Sequence, residues 1–166
     1  MTNIQIQRVQ ISDAEELIEA NKRSRTLHAP WTAPFTDMDG FDAWYAKTIT
    51  GPNLGFVGRE RNSGSVVGVV NISEIVWGAF RSGYLSYYGV AEFARKGFMT
   101  EAVDSVCRHA FEEIGLHRLE ANIQPDNIAS LSLVQRAGFH REGFSRDYLK
   151  IAGEWRDHER WARLAG

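Results

Sequence analysis

The apolar positions of this chain change period several times, and each change marks an element. Ile4 and Ile6, with Val9 beyond them, alternate with polar neighbours and predict an opening strand. Ser12-Asp13-Ala14-Glu15 then reads as a capping box, with a helix running from Asp13 toward Ser24. From Leu27 to Asp42 the chain is rich in Pro, Trp and Phe (Pro30, Trp31, Pro34, Phe35) and reads as loop with short helical pieces. Gly55 to Arg61 and Ser65 to Val76 are strand-like, joined as a hairpin by Asn62-Ser63-Gly64. Tyr84 to Val90 predicts a third, aromatic-rich strand. Val103, Val106, Cys107, Ala110, Phe111 and Ile114 then lie on one face of an amphipathic helix, with Gly115 where a C-terminal cap belongs. Leu119, Ala121 and Ile123 alternate as a strand. Pro125-Asp126-Asn127 opens a short helix that stops before Gly138, and two last strands, His140 to Lys150 and Trp155 to Leu164, flank a turn at Ala152-Gly153. The order is mixed α/β.

Composition narrows the function classes. The 166 residues suit one domain spanning 1–166, and no repeat, low-complexity tract or linker divides them. A net charge of −2 from 19 basic and 21 acidic residues gives no nucleic-acid footprint. No stretch approaches the ~18 to 20 apolar residues of a spanning helix, and the N-terminus does not read as a signal peptide. The expectation is a cytoplasmic protein without a membrane or nucleic-acid partner. Cys107 is the only cysteine, and His140 and His158 lack a metal-ligand spacing, so no metal is expected.

The segment Ala94-Arg95-Lys96-Gly97-Phe98-Met99-Thr100-Glu101 lies between the aromatic strand and the long helix. The first amides of a helix have no intrahelical partner, and the helix dipole adds partial positive charge there. Such an end binds phosphate. Arg95 and Lys96 add full charges, and Gly97 permits close backbone approach. The residues alone leave two readings open: a phosphate site, or an ordinary basic strand-to-helix turn.

This segment resembles the pyrophosphate-binding motif of the GNAT (GCN5-related) acetyltransferase superfamily, Gln/Arg-x-x-Gly-x-Gly/Ala. Ala94 stands where Gln or Arg is usual, and Met99 where Gly or Ala is usual. Three further blocks are similar to the RimJ/RimL-like branch, the ribosomal-protein N-terminal acetyltransferases. They are Asn127-Ile128-Ala129-Ser130 followed by Arg136-Ala137-Gly138-Phe139, the hairpin from Asp147 to His158, and upstream His28-Ala29-Pro30-Trp31. The resemblance implies a GNAT acyl-CoA N-acyltransferase fold, α/β (α+β), with a mixed central sheet of about seven strands and about four helices. It implies acetyl-CoA as co-substrate, a primary amine as acceptor, and direct attack in a ternary complex. It is compatible with a homodimer.

The resemblance also suggests roles. Tyr88, Gly89 and Val90 are expected to offer backbone groups to pantetheine. Arg95, Lys96, Gly97, Phe98, Met99 and Thr100 are expected around the pyrophosphate. Asn127 is read both as a helix N-cap and as a pantetheine ligand. Ser130 is the candidate proton donor to the departing thiolate, against a reading as helix packing. Many members carry a tyrosine four positions later, where this chain has Val134. Glu74 is the candidate base, acting through water, against a reading as a solvated strand residue. Trp31 and Tyr87 are the candidate acceptor contacts. Cys107 lies on the apolar helix stripe and reads as inert core. The expected acceptor is a protein N-terminal α-amine; the alternatives are a small-molecule amine, or a non-catalytic acyl-CoA-binding module.

Overall fold

The computed structural model describes residues 2–166. The seven strands are β1 (Ile4–Arg8), β2 (Leu54–Glu60), β3 (Val66–Val76), β4 (Ser82–Gly89), β5 (Arg118–Ile123), β6 (His140–Ile151) and β7 (Glu154–Leu164). They form one sheet in the order β1-β2-β3-β4-β5-β7-β6. Every neighbouring pair is antiparallel except β4 and β5, which run parallel. Five α-helices accompany it: α1 (Ala14–Arg23), α2 (Arg25–His28), α3 (Met38–Thr50), α4 (Phe98–His109) and α5 (Ile128–Arg136).

The sheet carries a core on each face. On one, Val103, Val106, Cys107 and Ala110 of α4 and Val134 of α5 pack against Val67, Val70, Ile72, Leu85, Leu119 and Ala121. On the other, Leu17 and Ile18 of α1 and Phe41 of α3 pack against Val57, Val66 and Val69. From Gly68 on, β3 alternates, with Val69 on one face and Val70 and Ile72 on the other; a bulge opposite Gly58 and Arg59 interrupts the period, so that Val66 joins the face of Val69 and Val67 that of Val70.

Two local readings need correction. The capping box lies at Gln10 and Asp13, around the turn that leads into α1, rather than at Ser12 and Glu15. The Asp13 carboxylate accepts from the Gln10 amide at 2.8 Å and a single 3-10 turn, Ile11–Asp13, precedes the helix. Asp13 is held there by Arg59, which donates to it and to Glu16, while Glu16 also accepts from the Val66 amide. The second correction is α3, a helix of 13 residues where loop with short helical pieces was expected to Asp42. Asp37 caps it by accepting from Gly40, and Phe41, Trp44, Tyr45 and Thr48 repeat at helical spacing. Gly40 and the β-branched run Thr48-Ile49-Thr50 weaken the intrinsic helix signal. Tertiary packing supplies the rest: Trp44 Nε1 donates to Asn71 on β3 at 3.1 Å.

The amphipathic helix is continuous from α4 through a wider π-type turn, Ala110–Ile114. Gly115, at φ 90°, closes it by donating to the Ala110 carbonyl. Cys107 is fully buried on this helix, and burial pushes its thiol up to about 12. Thiolate is therefore negligible at neutral pH. The native protein is expected to resist Ellman's reagent, with labelling only at the rate of unfolding, and Cys107→Ala is expected to keep full activity. Rapid stoichiometric labelling of the folded protein would contradict this placement.

Candidate active site

β4 and β5 pair over only Ser82–Tyr84 and Arg118–Glu120. Beyond Tyr84 both strands continue, but apart. β4 stays with β3 as far as Gly89, and the Val90 amide donates to the Val67 carbonyl at 2.9 Å. β5 stays with β7 as far as Ile123. The sheet is therefore split down its middle, and a cavity of about 410 Å³ opens at the freed end of β4, with α5, the helix that follows β5, in its wall.

Strand alternation decides which backbone groups face the gap. The Val67–Val90 bond places the backbone groups of Tyr88 and the amide of Val90 toward β3, so those of Tyr87 and Gly89 point to the gap; the Val90 carbonyl accepts from the Phe93 amide in the turn beyond. Of the residues expected to bind pantetheine through the backbone, only Gly89 is so directed; Tyr87, expected as an acceptor contact, joins it. His28 was missed as a site residue. Its Nε2 lies 2.7 Å from the Gly89 carbonyl, and a carbonyl only accepts, so Nε2 carries the proton. Ser24, fully buried at the end of α1, donates to Ala20 and accepts from Ala91. Together Ser24 and His28 fix the exit of β4.

One end of the cavity is the N-terminus of α4. Gly97 precedes the helix at φ 79°, and Arg95 also adopts positive φ, 63°. Arg95, Gly97, Phe98, Met99 and Thr100 all line the cavity. Lys96 does not; its ammonium sits 5.5 Å from the centre of the Phe93 ring. Arg136, from the end of α5, is a second lining cation that charge reading alone had not singled out. Among the described residues no carboxylate lines the cavity. Glu101, in the first turn of α4, is turned away and accepts from the amide and side chain of Asn3. Free helix amides, two guanidinium groups and no opposing carboxylate give this end a positive character.

Met99, the residue that departs most from the motif, points inward. Gly68 and Gly89 are direct cross-strand partners, and a Cβ on either would meet the Met99 side chain. The two glycines leave a hollow in the sheet that the thioether fills. The bulk added at the loop is thereby absorbed by the core, and the backbone of the turn stays open to a ligand.

α5 also presents its first turn to the cavity. Asn127 accepts from the Ser130 amide at 3.2 Å through Oδ1, which is the expected N-cap, and it also lines the cavity. Ser130 lines it too, and its Oγ lies 2.5 Å from the Tyr87 hydroxyl. Tyr87 turns to the α4–α5 side of the sheet, and burial pushes it up to about 12. Tyr88 turns to the α1–α3 side, edge-on to His28 with ring centres 5.2 Å apart. Its buried hydroxyl lies close to Asn21 without a hydrogen-bonding geometry. Leu27, His28, Trp31 and Thr32 form the remaining wall.

Glu74 is not brought to this cavity. It sits at a bulge near the end of β3, at φ 51°, in a separate hollow of about 160 Å³ with Tyr84 and Glu120. Cys107 is likewise remote from the cavity surface. Among the described residues no group of His, Cys, Asp and Glu is arranged to hold a metal ion.

Against known proteins, residues 3–140 match the family model described as acetyltransferase (GNAT) domain. The [ribosomal protein uS5]-alanine N-acetyltransferase of Escherichia coli is 31% identical over 160 residues, covering 88% of this chain and 79% of that protein. A probable N-acetyltransferase of Bacillus subtilis, YjcK, is 40% identical over 94 residues, and there the chain spans about half of the relative, 52%. Among solved structures, Mycobacterium smegmatis RimJ in complex with CoA-disulfide superposes with a TM-score of 0.85 at 29% identity, over 98% of this chain and 82% of that one.

The hollow under Met99 is testable by itself. A methyl group at Gly68 would overlap Met99 Sδ and come within 2.6 Å of the Tyr88 carbonyl. Gly68→Ala is expected to destabilise by about 1–3 kcal/mol, as overpacking does. Adding Met99→Ala should recover only part of that, because the carbonyl contact remains. Equal melting temperatures for wild type and Gly68→Ala would show that the hollow is not filled this way.

Proposed function

The chain belongs to the GNAT acetyltransferase family and is an acetyl-CoA-dependent N-acetyltransferase, and on that premise we propose that it acetylates protein N-terminal α-amines. The observation that carries this reading is the makeup of the cavity: positive charge at one end, a hydroxyl on α5 in the middle, and no carboxylate on its lining. The Escherichia coli relative, named a [ribosomal protein uS5]-alanine N-acetyltransferase, supports it.

The donor is assigned to the split between β4 and β5. The amides of Phe98, Met99 and Thr100, with Arg95 and Arg136, would hold the pyrophosphate. Gly89 and Tyr87 direct backbone groups at the path of pantetheine, and the side-chain amide of Asn127 faces it. Acetyl-CoA supplies the activated acyl group and a thiol leaving group. A gap-facing amide of β4 is the oxyanion donor; one such donor is typically worth about 3 kcal/mol of barrier. Ser130 Oγ holds the proton that the departing sulfur needs.

Deprotonating the amine is the demanding part. A lysine ammonium has a pKa of ~10.4, an α-amine ~8. A cavity without a carboxylate suits the weaker base, which arrives neutral in a useful fraction near pH 7.5 without help. Glu74, in its separate hollow, is given no part in this step. Leu27, Trp31 and Thr32 form the wall assigned to the first residues of the acceptor.

Two outcomes are expected. In a panel of peptides beginning with Ala or Ser, set against lysine side chains and polyamines, the peptides should show the highest kcat/KM. For them kcat/KM should rise with pH and level off near the α-amine pKa of ~8. Turnover confined to polyamines or other small amines would overturn the α-amine assignment. Ser130→Ala should lower kcat by about 100-fold, the lower range for a general acid; an unchanged single-turnover rate would remove Ser130 from the chemistry.

A further inference from the structure

The Tyr87 hydroxyl is placed to do more than line the cavity. Tyr87 belongs to β4 and Ser130 to α5, the helix that follows β5, and the two are 43 residues apart in sequence. Their 2.5 Å contact therefore bridges the two sides of the split. The tyrosine ring is anchored in the core beneath α4 and α5, so its oxygen has a fixed position.

We propose that Tyr87 is the positioning residue of the proton donor: its hydroxyl donates to Ser130 Oγ and so leaves the serine's own proton turned into the cavity. The direction of the bond follows from chemistry. A phenol is a stronger acid than an alkanol, so in a hydrogen bond between them the phenol is the preferred donor. The same hydroxyl has the Ser130 carbonyl at 3.4 Å as its alternative acceptor, too long to compete with the 2.5 Å bond to Oγ.

The serine needs such help because of where it sits. In the first turn of a helix a serine hydroxyl commonly turns back to a backbone group of its own segment. Here the capping task is already filled by Asn127, whose Oδ1 takes the Ser130 amide. With one lone pair of Oγ occupied by Tyr87, the O–H is free to point to the sulfur. On transfer, the Ser130 O–H bond breaks and an S–H bond forms. The acceptor nitrogen releases one proton to solvent in the same turnover and the serine regains one, so protons balance without any further reactant. Burial, which holds the Tyr87 phenol up to about 12, keeps it a hydrogen-bond donor throughout the working pH range.

This inference rests on Ser130 being the acid, and a double-mutant cycle separates the two ideas. Tyr87→Phe, Ser130→Ala and the double variant are compared in single-turnover acetyl transfer from acetyl-CoA, using whichever acceptor of the panel turns over fastest, with melting temperatures recorded for each. Tyr87→Phe keeps the packed ring. It is expected to slow transfer by 10-fold or more while the KM for acetyl-CoA moves less than about threefold. In the Ser130→Ala background the same change is expected to cost less than about twofold. An equal loss from Tyr87→Phe in both backgrounds would overturn the positioning role and leave Ser130 as the acid. A Ser130→Ala enzyme as fast as wild type would overturn both.

Discussion

The pairing of β4 with β5 ends after Tyr84 and Glu120, and the rest of the site is a consequence. Parting two central strands exposes backbone donors and acceptors that elsewhere in the sheet satisfy each other, which is costly unless something takes their place. Here each strand is held by its outer neighbour. β4 is secured by β3 up to Val90, then by Ser24 and His28; β5 is secured by β7. The gap is thus a property of the rigid sheet rather than of loops. A ligand with its own amides, lying along the Gly89 edge, would complete the sheet. Preorganisation of this kind lets binding energy go to the reacting geometry instead of to ordering the protein.

The positive end of the cavity shows how a departure from a motif is accommodated. A side chain as large as Met99 at the start of α4 would crowd the turn if it pointed outward. Gly68 and Gly89, paired across β3 and β4, make a depression that takes it inward. Three residues far apart in sequence are mutually adapted, and the helix amides remain exposed to the cavity. The positive charge of this end comes from Arg95 and Arg136, and the acidic side chain of the first helical turn, Glu101, is engaged by Asn3, just before β1.

Much of the fold was legible because local signals agreed with tertiary packing. The stripe from Val103 to Ile114, the Gly115 cap, the Asn127 cap and the Ala152-Gly153 turn each specify their element with residues close in sequence. α3 was not legible, since Gly40 and the β-branched end of the helix argue against it and only packing of Phe41 and Trp44 on the sheet decides for it. The candidate site was legible where a continuous segment forms it, from Arg95 to Thr100. It was less so where separate segments converge. The wall from Leu27 to Thr32, the His28 bond to Gly89 and the Tyr87–Ser130 contact depend on which way strand residues face across a split, and alternation within one strand does not reveal where its neighbour leaves it. Glu74 and Lys96 illustrate the converse, chemically suitable side chains that the backbone turns elsewhere.

The central claim is that the split between β4 and β5, with the N-terminus of α4, is the donor site. Isothermal titration of acetyl-CoA into the protein tests it most directly, with free CoA as control and the double variant Arg95→Glu, Arg136→Glu alongside. One site per chain is expected, with affinity at least 10-fold weaker in the variant at unchanged melting temperature. No heat with acetyl-CoA at millimolar concentration, or equal affinity in the variant, would contradict the assignment.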